Sequence, residues 1–111
     1  MEGKQVDCYK LFTFCKKVLI LNGMSEEHAT IMTNALVKAD KWGLFTHGTK
    51  NLFGYIKKKN AGGVSFSDEL EIECSFPSIT VIDAKNTMGY ISSTKAMEIA
   101  CEKAAKTGIA I

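Results

Sequence analysis

The sequence predicts a chain of α+β or α/β class. An N-terminal three-helix unit is followed by a strand–strand–helix–strand succession that starts a mixed sheet. Three observations predict it. Apolar residues recur at three- and four-residue steps as far as residue 59. Beyond Ala61-Gly62-Gly63 the recurrence switches to alternation. A last helical pattern then ends at Gly108 and gives way to Ile109-Ala110-Ile111. The expected organisation is a helical unit over 1–63 and the beginning of an α/β domain, incomplete, over 64–111.

The first helix is expected from Asp7, whose carboxylate can cap it, to about Leu21. Cys8, Leu11, Phe12, Cys15, Val18 and Leu19 share one face, and Asn22-Gly23 stops the helix. Ser25 caps the second helix, with Glu26 and Glu27 in the first turn where the helix dipole favours acids. Ala29, Met32, Ala35, Leu36 and Ala39 form its inward stripe, and Gly43 closes it. So short a connection predicts an antiparallel pair. Thr46 is the expected cap of a third helix over roughly 47–59, with Leu52, Phe53 and Ile56 on its apolar face. Lys57, Lys58 and Lys59 crowd its last turn, where positive charge complements the dipole, and read as a solvated helix end.

Leu70, Ile72, Cys74 and Phe76 alternate with Glu71, Glu73 and Ser75, the pattern of a half-buried strand with one wet face; Pro77 ends it. Ile79-Thr80-Val81-Ile82 predicts a second, more buried strand. A polar loop over 83–90 leads to a fourth helix ending near Thr107. Ala96, Met97, Ala100, Ala104 and Ala105 give that helix a small-residue face suited to close approach to a sheet. Ile109-Ala110-Ile111 reads as the opening of a buried strand reached by a parallel crossover.

The chain has 111 residues, 46% of them hydrophobic, with a single proline; this is the composition of a globular protein, not a disordered one. A net charge of +2 argues against nucleic acid or a membrane surface as partner. The cysteines, at 8, 15, 74 and 101, lack the two-residue spacing of zinc or redox sites and are expected to be buried, reduced thiols. The N-terminus has no apolar core of signal-peptide length, which points to a cytoplasmic protein.

Several chemical signatures are missing. The sequence holds no Gly-x-Gly-x-x-Gly, no phosphate-binding loop and no Gly-x-Ser-x-Gly. Two histidines nineteen residues apart make no metal site on their own, and His28 is expected at the surface. His47 is placed differently, just after a glycine stop. At a helix start the dipole favours the neutral ring, which can exchange a proton with a substrate oxygen. Backbone N–H groups of that start would suit a carboxylate, and Thr46 adds a hydroxyl.

Several pieces in order carry a family resemblance. A helix ends in Ala39-Asp40 and is followed by Gly43-x-x-Thr46-His47-Gly48; Leu52, Tyr55, a basic helix end and Gly62-Gly63 come next. Pro77-Ser78, Val81-Ile82-Asp83, Met88-Gly89, Ala96-Met97 and Ala104-x-Lys106-x-Gly108-Ile109-Ala110 complete the series. The whole resembles the N-terminal third of the malate/L-lactate dehydrogenase family of non-Rossmann oxidoreductases. The resemblance implies interconversion of a small 2-hydroxy acid and a 2-oxo acid with NAD or NADP, and a homo-oligomer, usually a dimer. It implies that His47 is the catalytic proton donor or acceptor, with Thr46 close to the substrate. The family usually has an arginine four residues after the histidine. Here Asn51 stands there with Lys50 adjacent, so substrate carboxylate binding would be weakened or rerouted to Lys50. The main cofactor region of the family lies beyond the positions matched here. The alternative reading is a non-catalytic helical oligomerisation or interaction module, a degenerate remnant of the family.

Overall fold

The computed structural model describes residues 3–67 and 69–111. Among them, α1 (Cys8–Leu21) and α2 (Glu26–Lys41) pack against each other. The single-turn 3-10 segments Phe45–His47 and Thr49–Asn51 lead into α3 (Leu52–Asn60). The antiparallel strands β1 (Glu71–Ser75) and β2 (Thr80–Asp83) follow, and then α4 (Gly89–Thr107). The architecture is α+β.

Both predicted caps form. Asp7 accepts from the Lys10 amide at 2.9 Å, and the Ser25 hydroxyl accepts from the His28 amide at 3.2 Å. Leu19, Met32 and Leu36 are fully buried in the α1–α2 seam. The same core takes in Leu52, Phe66, Met88 and Ile91, so α4 and the segment around Phe66 close over the helical pair.

The third helix starts later than its apolar spacing suggests. Thr46 caps nothing; the chain makes two 3-10 turns first, and α3 begins at Leu52 without a side-chain cap. The reason is Gly48, whose extended backbone (φ −95°, ψ −161°) separates the two turns. Phe53, expected inward, is exposed.

His28 is buried, only 2% exposed, contrary to its expected surface position. The sequence shows a polar first turn on α2, but α4 returns over that turn, and Lys95 bridges at 2.7 Å to Glu27, the residue before His28. The cysteine expectation also fails in part. Cys15 lies in the core, whereas Cys8, Cys74 and Cys101 are exposed free thiols.

β1 pairs with β2 through Glu71↔Asp83, Ile72↔Ile82, Cys74↔Val81 and Ser75↔Thr80. A bulge between Ile72 and Cys74 breaks the alternation that predicted a half-buried strand, and all five residues of β1 are exposed. The Lys103 ammonium on α4 donates to Ser75 Oγ (2.7 Å), Phe76 O (2.5 Å) and Ile79 O (3.2 Å), tying the hairpin turn to the helix. On α4, Ala100 and Ala104 are half-buried, while Ala96, Met97 and Ala105 face outward. Past Gly108, the Ile111 amide donates to Ser78 O (2.8 Å), and the Thr80 amide donates to Ile111 O (3.0 Å). These two bonds flank Ile79 in the pattern of a parallel pairing, as the crossover reading expects.

Candidate active site

The site is built on the end of α2. Gly43 (φ +75°) adopts a left-handed conformation that a side chain would strain. The Leu44 amide bonds back to Ala39 O at 2.9 Å and the Gly43 amide to Asp40 O at 3.0 Å. This paired closure is the Schellman ending, and it turns the chain sharply back across the helix end. The returning segment carries Thr46, His47, Lys50 and Asn51.

His47 is exposed, and its Nδ1 lies 2.9 Å from the Thr46 hydroxyl. That contact orients the ring and leaves Nε2 for an outside partner. When Nδ1–H donates to Thr46, Nε2 is a free base; when the hydroxyl donates, Nε2 carries the proton. Asn51 is half-buried and spends one of its amide hydrogens within the loop. Its Nδ2 donates to Thr46 O at 2.7 Å and closes the loop across the histidine. Lys50 is exposed at the edge of a cavity of about 370 Å³ shared with Lys4, Asp40, Phe45 and Thr49.

The expected backbone cradle for a carboxylate is largely absent. The amides of His47, Gly48 and Asn51 donate to Leu44 O, Phe45 O and Gly48 O, and that of Leu52 to Thr49 O. The 3-10 turns consume the N–H groups that an α-helix start at His47 would have left open.

Sequence reasoning gave no role to Asp40. Its Oδ2 accepts from the Thr49 amide (3.1 Å) and the Thr49 hydroxyl (2.5 Å). A nine-residue separation carries no periodic signal, so only the folded chain reveals the pair. Burial raises the pKa of the Cys15 thiol, and the Asp40 charge adds to that. Further off, the Tyr55 and Tyr90 rings meet edge to face, their hydroxyls 3.4 Å apart. Burial and the Tyr55 hydrogen bond push the Tyr90 phenol up to about 12. This pair lines a cavity of about 530 Å³ with Lys58, Ser93 and Thr94.

A dinucleotide needs a phosphate cradle, usually a glycine-rich strand-to-helix turn that points N–H groups at the ligand. The left-handed glycines here are Gly23, Gly43, Gly62 and Gly108, and each follows the end of a helix, the carbonyl-bearing side. None of these four glycines therefore makes such a turn. Among the described residues, no group of three or more His, Cys, Asp or Glu could hold a metal ion, and no helix is long and apolar enough to cross a membrane.

The sequence model of malate/L-lactate dehydrogenase matches residues 6–111, nearly the whole chain. The chain belongs to the malate/L-lactate dehydrogenase family. It is 36% identical over 102 residues to a malate dehydrogenase of Pyrococcus abyssi, covering 92% of this chain and 28% of that protein. It is 35% identical over 95 residues to a malate/(S)-sulfolactate dehydrogenase of Methanothermus fervidus, covering 86% of this chain and 28% of the relative. The solved malate dehydrogenase of Pyrococcus horikoshii superposes with a TM-score of 0.89 at 32% identity, over 98% of this chain and 33% of that one. The chain thus spans less than a third of the length of the curated relatives it matches. Its fold is that of their N-terminal portion.

Proposed function

We propose that this chain is the N-terminal part of an NAD(P)-dependent oxidoreductase that interconverts a small 2-hydroxy acid and the corresponding 2-oxo acid. The observation that carries the proposal is the family match over residues 6–111, which includes Thr46-His47-Gly48 on a turn that leaves the imidazole accessible. In the oxidation direction, His47 with its proton on Nδ1, donated to Thr46, takes the substrate hydroxyl proton at Nε2. In the reduction direction the imidazolium returns it. Thr46 holds the ring, and Lys50 contributes charge toward the substrate carboxylate. Asn51 serves the loop by fixing Thr46 rather than by binding the acid.

A nicotinamide dinucleotide, NAD or NADP, supplies the hydride chemistry of the family when bound. In this reading it is held mainly by parts of the fold outside these residues. The helical unit over 1–63 presents the histidine, and the segment over 64–111 begins the α/β domain. Exposed Trp42, Leu44, Phe45 and Phe53 surround the histidine loop, a placement suited to an active site near a dimer contact. The four free thiols accord with a reducing cytoplasmic setting.

The test is a steady-state assay of the full-length protein carrying this sequence, with malate, lactate and sulfolactate against NAD and NADP. Turnover of at least one acid with one cofactor is expected; inertness toward the whole set would remove the assignment. The 111-residue chain alone is expected to show no micromolar NADH binding by fluorescence. Tight binding would overturn the placement of the cofactor.

A further inference from the structure

Asp40 stands near the end of α2, seven positions before His47, and the Gly43 reversal folds the histidine loop back across it. Its Oδ2 accepts both the amide and the hydroxyl of Thr49. Bonds to an ionised acceptor are roughly twice as strong as neutral ones, so this is the firmest polar tie between the loop and the helix. Gly48 lies between the two partners in extended backbone that any residue could adopt. What forbids a side chain there is space. A Cβ added at Gly48 would overlap Asp40 Oδ1 and stand 2.5 Å from Cγ. The carboxylate occupies the room that the glycine leaves.

The loop is consequently held on three sides of His47. Behind it, the Leu44 amide is bonded to Ala39 O; ahead of it, Thr49 is bonded to Asp40; across it, Asn51 is bonded to Thr46 O. His47 makes no described bond to the body of the protein through its side chain, only to Thr46 on the same loop. Its aim is therefore inherited from the loop's anchors.

We propose that Asp40 is a positioning residue for His47: seated in the gap left by Gly48 and bonded to Thr49, its carboxylate straps the 45–51 loop to α2 and sets the direction of the imidazole. This rests on the reading of His47 as the proton carrier. A misplacement of about 1 Å at a reacting group can cost on the order of 100-fold in rate, so an anchor that touches no substrate still governs turnover.

The test uses nitrogen-15 and carbon-13 NMR of the full chain, following the His47 ring nitrogens, the Gly48 and Thr49 amides, and core methyls of Leu19 and Leu36. In Asp40→Ala the ring and loop signals should shift and broaden, while the core methyls stay in place. Gly48→Ala should give the same signature. Because the three atoms nearest that methyl all belong to the Asp40 carboxyl, adding Gly48→Ala to Asp40→Ala should move the His47 ring signals little further. Thr49→Val, which keeps the amide bond and loses the hydroxyl bond, should give a smaller shift of the same signals and covers the case in which Asp40→Ala fails to fold. His47 signals unchanged in both Asp40→Ala and Thr49→Val, or a Gly48→Ala effect undiminished without the carboxylate, would overturn the strap whatever the activity. In the full-length enzyme, Asp40→Ala should lower kcat by about 10- to 100-fold. A strap confirmed by NMR together with full activity of His47→Ala would instead overturn the proton-transfer reading on which the assignment depends.

Discussion

The α1–α2 pair and the β1–β2 ribbon bury their apolar residues very differently. In the helical seam Leu19, Met32 and Leu36 are at 0% exposure, whereas Ile72 on β1 is 55% exposed and Val81 on β2 is 43% exposed. Both regions carry the apolar periodicity proper to their element. What differs is the surface opposite: α1 and α2 face each other, and Phe66, Met88 and Ile91 complete their core, while no described residue buries β1. Periodicity reports which face of an element is apolar; it does not report whether a partner stands against that face.

The sharpest way to break this contrast is Leu36→Ala. It should cost about 2–5 kcal/mol, because a fully buried side chain is removed and a cavity is left. Urea denaturation of the chain measures it. A cost under 1 kcal/mol would mean that the seam is not the stabilising core. Ser25→Ala should cost about 1 kcal/mol in the same experiment, since the hydroxyl caps the turn that α4 covers.

Alkaline pH should also loosen the core side. The Tyr90 phenol has a folded pKa of about 12, raised by burial and by the Tyr55 hydrogen bond above the unfolded value of about 10. A raised pKa means that the folded state holds the proton more tightly. The associated stability is complete below about pH 10 and is lost as pH rises toward 12. Thermal melts across that window should show the decline, and Tyr90→Phe should flatten part of it. A Tyr90→Phe variant with the parent's slope would assign the loss elsewhere. The smallest effect belongs to the ribbon. Ile72→Ala should change stability by no more than about 0.5 kcal/mol, as substitutions at exposed sites usually do. A cost of 2 kcal/mol or more in urea melts would show that the strand is covered in solution.

The legible parts of the fold are those whose signals are local. Asp7, Ser25, Gly23 and Gly43 mark helix ends through their own backbone chemistry, and the helices stop and start where they say. The burial of His28 was not legible, because α4, more than sixty residues away in sequence, returns over its turn of α2. The late start of α3 was hidden for a related reason. Gly48 reads as an ordinary loop glycine until Asp40 is seen filling the space beside it. At the candidate site, His47 and Thr46 are proposed from residue type and family pattern. The occupation of the Asn51 amide and the loop N–H groups depends on hydrogen bonds that no spacing rule predicts.

The histidine loop is the part of this chain in which a folding device and a chemical group coincide, and His47 is its chemical claim. The most direct test is the kcat of His47→Ala in the full-length protein, measured by NAD(P)H-linked turnover of its preferred 2-hydroxy acid. A loss of about 100-fold or more is predicted, the usual worth of a positioned general acid–base group. Turnover equal to that of the parent would contradict the account.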